Sequence, residues 1–417
     1  MEKRDLKPIV QRQKSRGFST EGTVQRDLLP EVLNTFKDNR VIILTGMRRV
    51  GKSTLLKQIM QRRPDYCYVT FEDEKFVDFK ASEFEDLNEA MMEVYGSSKL
   101  YFFDEVQLVD KFETFVRRLQ DDGKKIVLTG SNASLLSVEF GTRLTGRYKQ
   151  FEVFPFSFKE YLKVKGFDVS RASRYLAEDK VALKKHLSGY LFSGGLPEYL
   201  INGDPNHVWT IYENIIYRDV IARYGIRKHN TVRELVNLLM ASIASKVTYN
   251  ALKKPLGLAN SITVKEYISY LCNAYLFYEL RRFGFSVREQ LDAPRKIYIM
   301  DPAFYKAVTL SMSPDSGRLL ENQILVELRR RGREIYYYEG KGECDFVTTR
   351  PEKEAIQVCY DFNPSNKQRE VGGLVEAMDA LKLKSGLILT YDQEEEIKVG
   401  AKTISVKPAW KWLLETE

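Results

Sequence analysis

"GMRRVGKS", residues 46–53, stands directly after the apolar run "VIILT" (41–45) and opens directly into "STLLKQIM" (53–60). The spacing is G-x-x-x-x-G-K-S, with a strand before it and a helix after it, and that context turns the pattern into a phosphate site. Gly46 and Gly51 let the backbone wrap phosphate oxygens with its N–H groups, where a Cβ would obstruct them. Arg48, Arg49 and Val50 fill the loop between. Lys52 has the charge and reach for β- and γ-phosphates. Ser53 offers a hydroxyl to Mg²⁺ and, with Thr54, begins a helix whose N-terminus favours negative charge. The expected ligands are therefore ATP and Mg²⁺. A glycine turn matching by chance would not bring the lysine, the serine and both flanks together.

"LYFFDEVQ" (100–107) supplies the second part. Four apolar residues predict a buried strand, and Asp104 emerges at its C-terminal end, where α/β ligand sites lie. Asp104 is the expected partner of Ser53 in holding Mg²⁺. Glu105 beside it is the candidate base that orients the attacking water.

Residues 41–153 alternate short apolar runs with helix-length segments: "VIILTG", "YCYVTF", "LYFFDE", "KIVLTG" and "YKQFEVF". That alternation predicts a parallel sheet covered on both faces. The run "HVWTIYENIIYRDVIARYG" (207–225) then carries apolar residues at helical spacing. After it, "YELRRFGFSVREQ…RKIYIMD" reads as two strands joined by a polar loop. Beyond residue 319 come the helix "ENQILVELRRRG", three strand candidates, the helix "QREVGGLVEAMDALK" and a last strand, "SGLILTY". The fold class is α/β: a P-loop NTPase parallel sheet of the additional-strand type, then a helical and winged-helix part, then a C-terminal α/β nuclease-like domain. The expected boundaries are an N-terminal extension over 1–22, the P-loop domain over 23–165, a helical domain over 166–245, a winged helix-turn-helix over 246–310 and the nuclease-like domain over 311–417.

Bulk properties agree with several globular domains. The chain has 417 residues, 43% hydrophobic and 29% charged. No apolar run approaches the roughly 18–20 residues of a membrane span, and no apolar segment marks the N-terminus as a secretory signal. Four scattered cysteines and three histidines lack metal-ligand spacing, so a reduced, cytoplasmic setting is expected, with no membrane partner. The net charge of +8 suits a polyanion without requiring one. Between Lys246 and Lys296 nine Lys/Arg stand against four Asp/Glu. The helix "SITVKEYISYLCNAYLFYEL" offers few side chains for base edges, so double-stranded DNA and a protein partner both stay open.

Together "GMRRVGKST", "YFFDEVQ", "LTGSNASLL", "LTGRYKQFEVFPFSFKEYL", "YLFSGGLPEYL" and "AWKWLLE" resemble a prokaryotic group of AAA+-like ATPases, related to the archaeal helicase-like and STAND branches, that carry a C-terminal nuclease-like domain of undefined role. The resemblance covers essentially the whole chain and implies ATP binding and hydrolysis. It implies that Ser131 and Asn132, after the strand "KIVLTG", are polar sensors of the γ-phosphate or water. It makes Arg147 a better arginine-finger candidate than Arg143, acting in cis, or in trans within an oligomer.

The C-terminal segment resembles the PD-(D/E)XK nuclease core, in which a helical acid, a strand Asp and a Glu or Gln hold metal while a lysine two positions later activates water. Here these are Glu321, Asp345, Gln357 and, in place of the lysine, Cys359. A cysteine supplies no ammonium, and Gln357 removes a charge that a hard cation wants. These four read as a vestigial site, with Lys341 and Lys353 as alternative lysines. The expectation is an ATP hydrolase without nuclease activity. The alternatives are a slowly hydrolysing STAND-like switch that binds a protein partner, and an ATP-regulated nuclease.

Overall fold

A computed structural model describes residues 3–17, 19–131, 146–170, 177–308 and 315–415. The chain separates into two compact units, Met1–Phe154 and Pro155–Glu417.

The first unit is built on five parallel strands: β1 (Val41–Thr45), β2 (Cys67–Thr70), β3 (Leu100–Asp104), β4 (Lys125–Gly130) and β5 (Tyr148–Glu152). Their spatial order is β2-β3-β4-β1-β5, so β4 lies between the strand of the glycine loop and the strand that ends in Asp104. The strand interposed in sequence between the two motifs, "YCYVTF", is β2 at the sheet's edge; the strand interposed in space is β4, "KIVLTG". Every residue of β1 and β3 is buried, as a sheet covered on both faces requires. Helices α3 (Lys52–Arg62), α4 (Phe84–Tyr95) and α5 (Phe112–Asp121) lie among these strands in sequence. Phe84 and Phe115 stack at 4.4 Å within an aromatic cluster that includes Phe71, Phe76, Phe79 and Phe103.

The N-terminal residues do not form a separate extension. Helix α1 (Lys3–Ser15) buries Leu6, Ile9 and Val10 in the same core as β2 and β3. Gln13 pairs its side-chain amide with the N–H and C=O of Thr70, at 3.0 and 3.1 Å. Strand β2 is the edge of the sheet, and this amide stands in for a neighbouring strand there.

The second unit begins with helices, among them Ala177–Ser193 and Pro205–Asn214, the latter running on into a π-helix over Ile215–Ala222. The helix His229–Ala241 leads to β6 (Ser245–Val247), helices Tyr249–Lys253 and Ser261–Asn273, then β7 (Phe277–Leu280) and β8 (Arg295–Ile299). These three strands form an antiparallel sheet in the order β6-β8-β7. The connection between β7 and β8 is not a plain polar loop. It contains the short helix Val287–Asp292, capped by the Ser286 hydroxyl on the Glu289 N–H, beside Phe285 at 82% exposure.

The last part is a six-stranded mixed sheet, β13-β14-β12-β11-β10-β9. It comprises β9 (Glu334–Glu339), β10 (Glu343–Arg350), β11 (Glu354–Val358), β12 (Ser385–Thr390), β13 (Glu395–Val399) and β14 (Lys402–Pro408). Two strands follow "SGLILTY", where the sequence reading ended. Strand β13 is a charged, mostly exposed edge, and such composition hides the alternation that marks a strand. The two compact units divide at Phe154/Pro155. Phe156 donates its N–H to Gly195 and accepts from the Tyr190 hydroxyl, which ties this segment to the second unit.

A buried carboxylate fixes the "SGGLP" turn of that unit. Asp301 accepts the N–H groups of Gly195 at 2.7 Å and Ala303 at 2.9 Å. Burial pushes its carboxyl up to about 7, against the pull of those N–H groups. Gly194 sits at φ +67°, where a Cβ would stand 1.8 Å from Asp301 Oδ1. Gly194→Ala should therefore destabilise the second unit by more than about 2 kcal/mol. Hydrogen exchange would show faster opening there and unchanged protection of the β1–β5 sheet.

Candidate functional site

The loop between β1 and α3 is shaped by two left-handed glycines. Gly46 sits at φ 144°, and a Cβ there would lie 2.3 Å from the Val153 carbonyl. Gly51 adopts φ 97° and caps α3. Arg49 adopts φ 62° without being glycine, a strain that tight ligand loops carry. Val50 is fully buried and anchors the loop from below.

The loop has a further anchor that sequence patterns did not single out. Arg26 is buried and donates to the Val50 carbonyl at 2.9 Å and the Phe154 carbonyl at 2.6 Å. Its own N–H donates to the Gln58 side chain at 3.1 Å, and Gln58 projects from α3. A lone arginine in a polar N-terminal stretch gives no periodic or motif signal.

Lys52 is 4% exposed, and its ammonium donates to the carbonyls of Gly46 at 3.1 Å and Met47 at 3.0 Å. It lies 3.7 Å from Glu105 Oε1. Asp104, at the end of β3, accepts from the Ser53 hydroxyl at 3.3 Å and from the Thr129 hydroxyl. The Tyr68 hydroxyl donates to its other oxygen at 3.5 Å. Glu105 turns out of the strand at φ 52°, with its N–H on Thr129 Oγ1 at 2.9 Å. Its Oε2 accepts from Ser131 at 3.0 Å and from Gln107, a residue not singled out beforehand.

Burial pushes the Asp104 carboxyl up to about 6, with neighbouring Glu105 adding to the rise and Thr129 and Ser53 opposing it. Burial acts on Glu105 in the same direction, but Lys52, Gln107 and Ser131 outweigh it and hold its carboxyl below the ordinary value. Two adjacent buried carboxyls thus differ in proton affinity because only one faces an ammonium.

The geometry brings together Gly46, Val50, Gly51, Lys52, Ser53, Asp104, Glu105 and Ser131, with Thr54 in the first turn of α3. Arg48 lies 3.8 Å from Glu72. Arg49 lines a pocket of about 680 Å³ with Ser53, Lys57, Tyr68 and Asp104. The donor set fits a polyphosphate with a hard cation: a loop in which a Cβ at Gly46 would not fit, a buried ammonium, and a hydroxyl beside a carboxylate.

Arg147 is not part of this arrangement. Its carbonyl accepts from Val41, at the opposite end of β1 from the loop, and its guanidinium pairs with Asp121 at 2.6 Å on the surface. Strand β5 runs parallel to β1, so its first residues lie at the end of the strands opposite the loop. Of the two alternatives left open for Arg147, that register weighs against action in cis on its own chain's loop. Asn132 and Arg143 lie outside the described residues.

In the second unit Glu321, Asp345 and Gln357 do converge, lining a pocket of about 530 Å³. Gln357 accepts the Asp345 N–H at 3.1 Å. Cys359 does not line that pocket; it packs among Leu374, Ala377 and Met378, and burial pushes its thiol up to about 11. The ammonium that meets the acids belongs to Lys296 of β8, not to Lys341 or to the exposed Lys353. A lysine 49 positions before Asp345 carries no sequence signal of that meeting.

The raised carboxyl of Asp104 predicts a stability–pH relation. A folded-state value above the unfolded one costs stability as pH rises from about 4 to about 6, after which the cost is constant. Asp104→Asn keeps the acceptor for Ser53 and Thr129 and removes that cost. Thermal unfolding should show the variant gaining on wild type through this window and levelling at about 3 kcal/mol above it. A constant offset from pH 4 to 8 would contradict the assignment.

Sequences described as an AAA domain match residues 38–162, and a domain of unknown function (DUF8612) matches residues 184–316. The chain is 36% identical over 397 residues to the uncharacterized protein MJ1544 of Methanocaldococcus jannaschii, covering 90% of this chain and 88% of that one. It is 27% identical over 419 residues to an uncharacterized protein of Haemophilus influenzae, covering 95% and 100%. Among solved structures it is similar to the Walker-type ATPase paby2304 of Pyrococcus abyssi, with 17% identity, 70% of this chain and 97% of that chain covered, and a TM-score of 0.45. With identity to MJ1544 sustained over nearly the full length of both, the chain belongs to the same family as that protein, and its own AAA domain over 38–162 lies mostly in the first unit.

Proposed function

We propose that the chain is a Mg²⁺-dependent ATP-binding protein and ATP hydrolase, whose nucleotide state drives or gates the segments read as a winged helix-turn-helix (246–310) and a nuclease-like domain (311–417). The observation that carries this reading is the buried set Lys52, Asp104 and Glu105 at one end of β1 and β3. Lys52 would leave its loop carbonyls for the β- and γ-phosphates. Ser53 and Asp104 would hold Mg²⁺, which when bound neutralises charge on the phosphate oxygens. Glu105, freed from Lys52, would orient a water and accept its proton as the bond to the leaving diphosphate breaks. Ser131 and Gln107 would set its direction. Arg147, at the end of its own sheet opposite the loop, would serve only a neighbouring copy, and hydrolysis per chain would then rise with protein concentration.

A second reading is the slowly hydrolysing, STAND-like switch that binds a protein partner. It is favoured by the restraint on Glu105, which Lys52, Gln107 and Ser131 hold at once. Four of the nine cations in 246–296 support the same partner class. Lys246, Lys296, Arg295 and Arg282 turn onto carboxylates or carbonyls of the chain itself, so they are spent before any double-stranded DNA arrives. Phe285, Val287 and Ile262 at 82%, 72% and 59% exposure suit a protein better than phosphates.

Phosphate release from ATP with Mg²⁺ separates the readings, measured with and without double-stranded DNA. The proposal expects turnover that falls at least about a hundredfold in Glu105→Gln. Binding with no turnover in wild type would leave the switch. Stimulation by DNA would restore the nucleic-acid partner.

A further inference from the structure

Glu321, Asp345 and Gln357 converge as a nuclease-type metal site would require, yet both oxygens of Asp345, both ends of the Gln357 amide and one oxygen of Glu321 already have partners inside the chain. The Lys296 ammonium lies 2.6 Å from Glu343, 2.9 Å from Asp345 and 3.1 Å from Glu321, and it is 3% exposed. Asp345 spends its second oxygen on the Val358 N–H at 3.0 Å. Glu321 Oε1 also accepts the Tyr298 hydroxyl at 2.6 Å. Gln357 turns its carbonyl to the Asp345 N–H and its amide nitrogen to Glu370 at 2.7 Å. Among the described residues no group of three or more His, Cys, Asp or Glu is arranged to hold a metal ion.

The lysine is delivered by rigid structure. It stands on the central strand of the three-stranded sheet, bonded on both sides by β6 and β7. Three residues on, the Asn322 side chain accepts the Ile299 N–H at 2.8 Å and donates to its carbonyl at 2.9 Å, hooking β8 to the helix Ser316–Arg330 that carries Glu321. Lys246, the register partner of Lys296 on β6, reaches Glu339 at 2.6 Å and Glu343 at 2.8 Å. Beyond the register, Phe283 donates to the Tyr337 carbonyl at 2.6 Å and Tyr337 to the Arg281 carbonyl at 3.0 Å, joining the ends of the two sheets.

We infer that this cluster is a closed site whose cation is the tethered ammonium of Lys296, so that the C-terminal sheet binds no divalent metal and the acids serve to clasp the three-stranded sheet to it. A divalent ion bound by Asp345 and Glu321 would sit within a few ångströms of that ammonium. Like charges at such a distance in a buried site repel strongly, so the ammonium and a divalent ion exclude one another there. Its backbone is held by β6, by β7 and, through Ile299, by Asn322, so the lysine stem stays rooted beside the acids. Burial disfavours its charge, but Asp345 foremost and Glu321 and Glu343 with it more than restore it. The cysteine at 359 then needs no replacement lysine, because no metal-bound water is there to activate. This inference does not depend on the ATPase reading of the first unit.

The test is Mn²⁺ binding followed by electron paramagnetic resonance on the full chain without nucleotide, in wild type, Asp345→Asn, Lys296→Met and the double variant. The wild type should show no Mn²⁺ site that Asp345→Asn removes. Lys296→Met should gain a site at least tenfold tighter than the background, lost again in the double variant. A wild-type site abolished by Asp345→Asn would overturn the inference, as would a folded Lys296→Met chain that gains none. Should Lys296→Met fail to fold, the comparison of wild type with Asp345→Asn decides alone.

Discussion

The first unit depends on a single buried ammonium. Lys52 is nearly removed from water, and its charge is balanced by two loop carbonyls and by the Glu105 carboxylate. An isolated ammonium in such a place would lose its proton or unfold its surroundings. The loop glycines are needed because the carbonyls must turn inward to meet it. Interposed β4 is needed because its Thr129, and Ser131 just beyond its end, hold the two acids that share the site. Arg26 is needed because a loop bent inward by its carbonyls has to be held from outside as well. What looks like a list of motif residues is one charge balance with several supports.

The second unit repeats the device to a different end. There too a lysine is buried among carboxylates, but it comes from a strand bonded on both sides rather than from a loop. In the first unit the ammonium holds weak partners, carbonyls and a carboxylate at 3.7 Å, that a polyphosphate can outbid. In the second it holds three carboxylates between 2.6 and 3.1 Å, and nothing of like strength competes. The same pair of residue types thus makes an open site in one place and a closed one in the other. Breaking either pair would leave an uncompensated buried charge, which is why each is costly to alter.

Legibility in the sequence followed the distance between partners along the chain. The glycine loop, its strand and its helix are contiguous, and "FFDE" ends a strand visibly, so this much of the site could be read from local pattern. The strands of the first sheet were legible because parallel strands buried on both faces leave continuous apolar runs, whereas their order was not. Arg26, Gln107 and Lys296 were missed: each acts by touching something outside any motif, and a single charged residue has no periodicity. Helix α1 was passed over because its apolar residues are few and its surface strongly charged. Arg147 was placed with the site by resemblance, and the register of β5 against β1 removes it to the opposite end of the strands.

If ATP takes Lys52 from Glu105, phosphate and carboxylate compete for one ammonium. Equilibrium titration of Mg²⁺ and ATP into wild type and Glu105→Gln by calorimetry tests it most directly. The account predicts tighter binding by the variant, because a neutral amide no longer holds the lysine against the phosphates. Equal or weaker affinity in a folded Glu105→Gln chain would contradict it, and with it the charge balance on which the rest of the site is argued.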